Sequence, residues 1–149
     1  MTTHYHGDPA EKLALATFIK LVRATESFLA RSSSVIAAAD LTTSQFGVLE
    51  ALYHLGPLCQ KELASKILKS SGNMTMVIDN LEKRALVRRE RDNEDRRYYR
   101  IHLTDSGQTL MAELFPRHAA TICREMNCLN DLEKIELSNL CKKLGLAQT

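Results

Sequence analysis

The hydrophobic rhythm of this chain changes period once, and that change limits what it can fold into. Met74, Val77, Ile78 and Leu81 recur at i, i+3, i+4 and i+7, the spacing of one helix face, within a segment that reads as a helix from Asn73 to Arg84. Directly beyond it the period falls to two. Leu86-Val87-Arg88-Arg89 reads as a short strand, and Tyr99, Ile101 and Leu103 alternate with Arg100 and His102. The charged run RDNEDRRYY, from Arg91 to Tyr99, joins the two as a turn. A helix that feeds a charged-tip β-hairpin is the expectation for this region.

The residues before that helix sharpen the reading. Thr42 with Gln45 is a capping box that opens a helix with Phe46, Leu49, Leu52 and Tyr53 inward, and Gly56-Pro57 stops it. Gln60 to Leu68 reads as a short helix with Leu63, Ala64 and Ile67 inward, and Lys69-Ser70-Ser71-Gly72 breaks it. Two short helices joined by a tight polar break are a helix-turn-helix. With the hairpin they make a winged helix, so the fold class is mainly α (α+β), a winged helix-turn-helix core. Long helices flank it. Asp8-Pro9-Ala10-Glu11 caps a long one that ends somewhere before Asp40, with Leu15, Phe18, Ile19, Val22 and Leu29 on its stripe. Thr104 caps another to about Asn127, with Pro116 expected to kink it or mark a weak point. Asn130 and Glu133 open a last helix with Ile135, Leu137, Leu140 and Leu144, which Gly145 is expected to terminate.

The chain has 149 residues, enough for one domain with its own core. No window is apolar enough for a membrane span and MTTHYHGDPAEK lacks a signal-peptide layout, so a cytoplasmic protein without membrane association is expected. The net charge of +2 says little, but its placement says more. From Lys83 to Arg100 there are eight Lys or Arg against four Asp or Glu, a local +4 on a remainder of −2. A basic focus of that kind suits a polyanion.

The outward face of the Asn73–Arg84 helix carries Asn73, Thr75, Met76, Asn80, Lys83 and Arg84, with Ser70 and Ser71 just before it. Amide and hydroxyl side chains near a helix N-terminus suit phosphates and base edges in a major groove. In Asp95-Arg96-Arg97 an acid stands beside two arginines at a hairpin tip. One arginine can enter a minor groove while the acid fixes the other, since a narrow groove rewards a cation. The alternative for each feature alone is an amphipathic helix and a solvated loop.

The run LTTSQFGVLEAL followed by KELASKILKSSGNMTMVIDNLEKRALVRRERDNEDRRYYRIHLTDSG resembles the MarR family of winged-helix transcriptional regulators. The family's Asp-x-Arg wing and Leu-Thr-x-x-Gly strand end are present as Asp95, Arg97 and Leu103-Thr104-Asp105-Ser106-Gly107. The resemblance covers almost all of residues 1–149, with residues 41–107 as the DNA-binding region and 9–39 and 104–145 as dimerisation helices. It departs at two positions. Cys59 stands where many members have a hydroxyl or amide cap, and Ala85 where the family has glycine after the recognition helix, which puts a left-handed cap there in question.

The resemblance implies a homodimeric regulator, most often a repressor, on a palindromic double-stranded operator with half-sites about 10 bp apart. No nucleophile–base pair at an interpretable spacing and no Gly-rich phosphate loop stands in the sequence, so no catalysis and no cofactor are expected. The resemblance also implies release by a small phenolic or aromatic effector in a cleft that here would involve Phe18, Val22, Phe46, Tyr53, His54 and Met111. The wording LEALYHLG and ASKILKSSGNMTMVIDNLEKR is similar to that of members responding to quinones and hydroquinones. The rival is thiol-redox control. The peroxide-sensing members carry a cysteine in the first helix, where this chain has none, so Cys59 at a helix start would be the candidate and Cys123, Cys128 and Cys141 small hydrophobes. A winged-helix module for protein contact, with little DNA affinity, is the third reading. His4, His6, His102 and His118 form no ligand spacing, so no metal is expected.

Overall fold

The computed structural model describes residues 3–67 and 71–147, with the backbone alone at 71 and 72. In chain order the elements are α1 (Pro9–Ser32), α2 (Ser34–Ala38), α3 (Thr43–Leu55), β1 (Leu58–Cys59), α4 (Gln60–Lys66), α5 (Ser71–Lys83), β2 (Val87–Arg91), β3 (Tyr99–Leu103), α6 (Asp105–Glu125), a 3-10 turn (Met126–Cys128) and α7 (Asp131–Gly145). They fall into two compact units, residues 33–119 and the two ends of the chain, 1–32 with 120–149. The fold is the mainly helical winged helix that the periodicity implies.

In the central unit, α3 starts with the expected capping box. Thr42 Oγ1 accepts the Gln45 N–H at 3.1 Å and the Gln45 side chain accepts the Thr42 N–H at 2.9 Å. Gly56 at φ 78° ends it, a conformation glycine adopts without strain. The sheet is antiparallel in the order β1-β3-β2. Val87 pairs with Leu103, Arg89 with Ile101 and Arg91 with Tyr99, while Leu58 and Cys59 pair with Ile101 and Arg100 on the other edge. The core fills the space between helices and sheet. Leu49, Leu63, Met74, Ile78, Leu81, Val87, Ile101 and Met111 are sealed from solvent. Each contributes about 1.5–3 kcal/mol by leaving water.

The junction between α5, the hairpin and α6 is tied by backbone chemistry. The Ala85 N–H donates to Glu82 O at 2.9 Å and the Leu86 N–H to Leu81 O at 3.0 Å, the paired bonds of a Schellman cap. Ala85 takes the left-handed φ of 54° despite its Cβ, so the cap survives the glycine's absence. Thr104 then caps α6, since its Oγ1 accepts the Gly107 N–H at 3.1 Å and donates to Ala85 O at 2.6 Å. A Cβ on Gly107 would stand 2.2 Å from Leu86 O, so only glycine allows this approach. The Leu-Thr-x-x-Gly run is therefore a clasp that fixes where α6 leaves the winged helix.

In the other unit, Asp8 and Glu11 cap α1 reciprocally at 2.9 and 3.2 Å. Arg31 donates to Glu125 Oε2 at 2.7 Å, joining α1 to the end of α6. Asn130 and Glu133 form the expected box on α7.

The structure corrects several boundaries. The first helix stops well before Asp40. It ends at Ser32 and α2 starts afresh after Ser33, where three consecutive serines compete with the helix for backbone hydrogen bonds. The recognition helix opens at Ser71 and ends at Lys83, and β2 runs from Val87 to Arg91, two residues past the expected end. Strand β1 was not foreseen. Pro116 lies inside the helical span of α6. Gly145 is the last helical residue of α7, with Leu146 as the cap at φ −96°. The expected third helix ends at Lys66, and Leu68 lies outside the described residues.

Candidate nucleic-acid interface

Two exposed features of the central unit carry the polar chemistry, the outer face of α5 and the β2–β3 wing. On α5 the buried Met74, Ile78 and Leu81 turn Asn73, Thr75, Met76, Asn80 and Lys83 outward, with Met76 65% exposed. The Thr75 hydroxyl accepts from the Gln60 side-chain amide on α4, so α4 orients a group on the recognition helix. Ser70 lies outside the described residues, as does the side chain of Ser71. Arg84 turns away from that face. Its guanidinium donates to Asp40 O at 2.6 Å and Ala39 O at 3.2 Å, binding the orphan carbonyls at the end of α2.

The wing turn is built by its acids. Asp92 Oδ1 accepts the N–H groups of Glu94 at 2.8 Å and Asp95 at 3.3 Å, while Oδ2 accepts from Arg100 Nε at 2.9 Å. These bonds, the Glu94 N–H first and the Arg100 side chain next, hold the Asp92 carboxyl below its ordinary value. Asp95 grips Arg97 in a fork, with Nε at 3.0 Å and Nη2 at 2.8 Å, and also accepts the Arg97 N–H at 3.1 Å. The fork lowers the Asp95 pKa and raises that of Arg97. Arg97 nevertheless stays 82% exposed, so the guanidinium is oriented and open at once. The sequence reading had the acid fix one arginine and free the other for a groove; Asp95 fixes Arg97, the residue of the Asp-x-Arg motif itself. Arg96 is exposed beside it, and its carbonyl accepts from Arg91 Nη1 at 2.7 Å. Arg91 lies over the Tyr99 ring at 5.0 Å and Arg97 near the Tyr98 ring at 5.9 Å, so the tyrosines are platforms for the cations.

Lower on the hairpin the charges serve the fold. Glu90 Oε2 accepts from Arg88 at 2.6 Å and faces His102 Nε2 at 3.3 Å. Burial, then the neighbouring Arg88 charge, holds His102 below the usual imidazole range. Arg89 reaches back to α5, to Asp79 at 2.6 Å and Glu82 at 2.9 Å. The basic focus is thus partly internal wiring, with its open cations at the wing tip and at Lys83.

The effector candidates divide between the two units. Phe18 is 60% exposed on α1 and Val22 half-buried there. Phe46 and Met111 are sealed in the core of the central unit, Tyr53 is half-buried and His54 exposed. Around Phe46, Tyr53 and His54 lies an aromatic cluster that also takes in Phe115 and His118. His54 meets Phe115 at 4.5 Å and Phe46 meets His118 at 4.7 Å. His118 Nδ1 is buried without a hydrogen-bond partner. Cys59 is half-buried at the start of α4, where Glu62 Oε2 accepts its N–H at 2.8 Å. Glu62 is held below its ordinary value by that backbone bond first and the Cys59 thiol second. Among the described residues no His, Cys, Asp and Glu group could hold a metal, and no helix is long and apolar enough to cross a membrane.

Residues 41–99 match the family model described as the MarR family. The HTH-type transcriptional regulator MhqR of Bacillus subtilis is 35% identical over 133 residues, 89% of this chain and 92% of its own. The chain belongs to the MarR family. Among solved structures, Bordetella bronchiseptica BpsR, whose DNA binding is regulated by 6-hydroxynicotinic acid, is 27% identical with a TM-score of 0.77 over 87% of this chain and 98% of its own. Reduced AbfR bound to DNA is 26% identical with a TM-score of 0.72 over 91% and 94%. This MarR-family chain is accordingly a DNA-binding transcriptional regulator and not an enzyme.

Sequence reasoning missed Gln60, Phe115 and His118, and read Arg89 and Arg91 only as members of the basic focus. Phe115 and His118 had a signal, since they continue the Met111 stripe of α6 at the i+4 and i+7 positions. Gln60 had none, and the roles of Gln60 and Arg89 were hidden because each acts across a tertiary contact that spacing does not show.

Proposed function

We propose that the chain is a homodimeric repressor. It places α5 in the major groove and the wing in the adjacent minor groove of a palindromic operator, and a small phenolic or quinone-type ligand releases it. Asn73, Thr75, Met76, Asn80 and Lys83 meet base edges and phosphates, together with Ser70 and Ser71 that precede them in the sequence, and Arg97, oriented by Asp95, enters the minor groove with Arg96 beside it. The observation that carries this reading is the Asp95–Arg97 fork, which holds a guanidinium in one orientation yet leaves it 82% exposed. An ordinary surface ion pair gives about 0–1 kcal/mol and needs no such support from the turn. Pre-orientation of a cation serves a binding partner.

Residues 41–107 form the DNA-binding region in this reading, and residues 9–39 and 104–145 form the dimer. The uncovered apolar side chains of α1 and α7 support that division. Two copies place two winged helices on half-sites about one helical turn apart. The aromatic cluster supports the ligand, because His118 Nδ1, buried without a hydrogen-bond partner, offers a polar atom to a ligand hydroxyl beside the Phe46 and Phe115 rings. The regulator works in the cytoplasm, where its operator is. Thiol control through Cys59 is the second reading, favoured by the position of Cys59 beside Gln60, whose amide holds Thr75.

The test is fluorescence anisotropy on the DNA upstream of the chain's own gene against a scrambled duplex, across a salt series. Selective binding with a steep salt slope is expected. Arg97→Ala should weaken the operator complex by about tenfold or more at unchanged fold. A hydroquinone and phenol screen should then release the wild-type complex. Equal binding of wild type and Arg97→Ala removes the wing from the mechanism, and release by oxidant that is lost in Cys59→Ser favours the thiol reading.

A further inference from the structure

Arg89 is the most enclosed arginine of the hairpin, its side chain 20% exposed, yet it stands in the basic focus that suggests a polyanion. Its guanidinium does not face outward. Nη2 meets Asp79 Oδ1 at 2.6 Å and Nη1 meets Glu82 Oε1 at 2.9 Å, while its N–H donates to Glu82 Oε2 at 3.2 Å. Asp79 and Glu82 lie on α5, one turn apart, and Arg89 lies on β2 opposite Ile101. The cation therefore spans from the recognition helix to the wing strand, with two carboxylates and a backbone donor fixing the distance and the angle between them.

We propose that Arg89, Asp79 and Glu82 form a clamp that sets the orientation of the recognition helix relative to the wing, and that Arg89 is a positioning residue for operator binding rather than a phosphate contact. The inference rests on the reading that α5 and the wing engage two grooves of one operator. Two rigidly related elements that must enter two grooves together lose affinity when their relation loosens, because the ordering cost then falls on the binding step. Random DNA asks only for positive charge near phosphates and does not need both grooves in register. The charges make the signs informative. Glu82 and Asp79 repel a polyanion, so removing one should strengthen DNA binding on charge alone. The clamp predicts the opposite for the operator.

The experiment compares Arg89→Gln, Glu82→Gln and Asp79→Asn with the wild type by anisotropy on operator and on scrambled duplex over a salt series. Circular dichroism melts check the fold. Arg89→Gln should weaken operator binding about tenfold with the salt slope unchanged, since no phosphate contact is lost. Glu82→Gln should weaken operator binding several-fold while leaving scrambled-duplex binding equal or stronger, and Arg89→Lys should restore part of the Arg89→Gln loss. Asp79→Asn removes a single half-exposed carboxylate, so it tests the clamp even where Arg89→Gln melts early. A salt slope lower by about 0.9 in Arg89→Gln would mark Arg89 as a direct phosphate contact and overturn the clamp. Operator binding that is unchanged or stronger in Glu82→Gln and Asp79→Asn overturns it too. Arg97→Ala run alongside separates the two levels. If it weakens operator binding while the clamp variants do not, the clamp alone fails; if none of them has an effect, the two-groove reading fails.

Discussion

Ala85 shows what one residue can carry. Its φ of 54° costs an L-residue roughly 1–2 kcal/mol, and the Schellman bonds to Glu82 and Leu81 hold it there. A glycine would relieve that cost, less the about 0.5–1 kcal/mol of extra unfolded-state freedom it brings. Ala85→Gly should therefore stabilise the chain by about 0.5–1 kcal/mol in urea melts, at unchanged m-value. A destabilised variant would mean that the side chain packs in a way the cap geometry does not express. The position was legible in the sequence as a departure from the family's glycine. Its outcome was not, because the sequence cannot say whether the cap or the Cβ gives way. Gly107 is the converse. Its place in the Leu-Thr-x-x-Gly run was plain, but its reason, the Leu86 carbonyl 2.2 Å from where a Cβ would be, joins residues far apart in the chain.

Elements were legible in proportion to the length of their pattern. The Met74–Leu81 stripe and the alternation from Tyr99 to Leu103 gave the recognition helix and the return strand within two or three residues. The two-residue β1 has no pattern to read, and the break after Ser32 replaced what looked like continuous helix. The turn of the wing was visible only as charge. Its acids turn out to be its scaffold, which makes a pH prediction at this scale. Asp92 and Asp95 are held below their ordinary values by the Glu94 N–H and by Arg97 respectively, each the largest cause. A depressed carboxylate stabilises wherever the pH is above its unfolded value, near 3.9, and that stabilisation is lost as the pH falls through the folded value. The wing order should thus be constant from pH 8 to about 5 and fail only in acid. Carboxyl-detected NMR titration should place both residues below the ordinary aspartate range. A midpoint for Asp95 at or above the ordinary carboxylate range would mean the fork with Arg97 is absent in solution.

At the scale of the molecule, the apolar surface sets the problem. Leu132 is 78% exposed and Ile135, Leu140 and Leu144 on α7 are more than half exposed, with Leu13, Phe18 and Leu29 similarly open on α1. Single apolar residues at a surface need no explanation, but runs of them at helical spacing on both chain ends do. The sequence had already shown more apolar helical positions outside residues 41–107 than that region needs, although it could not say that the chain would leave them uncovered. A second copy covering them makes a sharp prediction for Ile135→Asp and Leu140→Asp. In a lone chain such changes at exposed positions move stability by about 0.5 kcal/mol or less, since no core contact is lost. In a dimer they place carboxylates in an apolar interface, where an unpaired charge is prohibitive. Sedimentation equilibrium should show the wild type as a dimer and the variants shifted toward monomer, each with its winged helix still folded. Operator affinity should fall with the dimer, because linking two winged helices turns the second half-site contact into an intramolecular event. Affinity for a duplex with one half-site should change far less. A variant that remains dimeric with full operator affinity would exclude α7 from the interface, and a wild type that sediments as a monomer would leave the two half-sites to be filled independently.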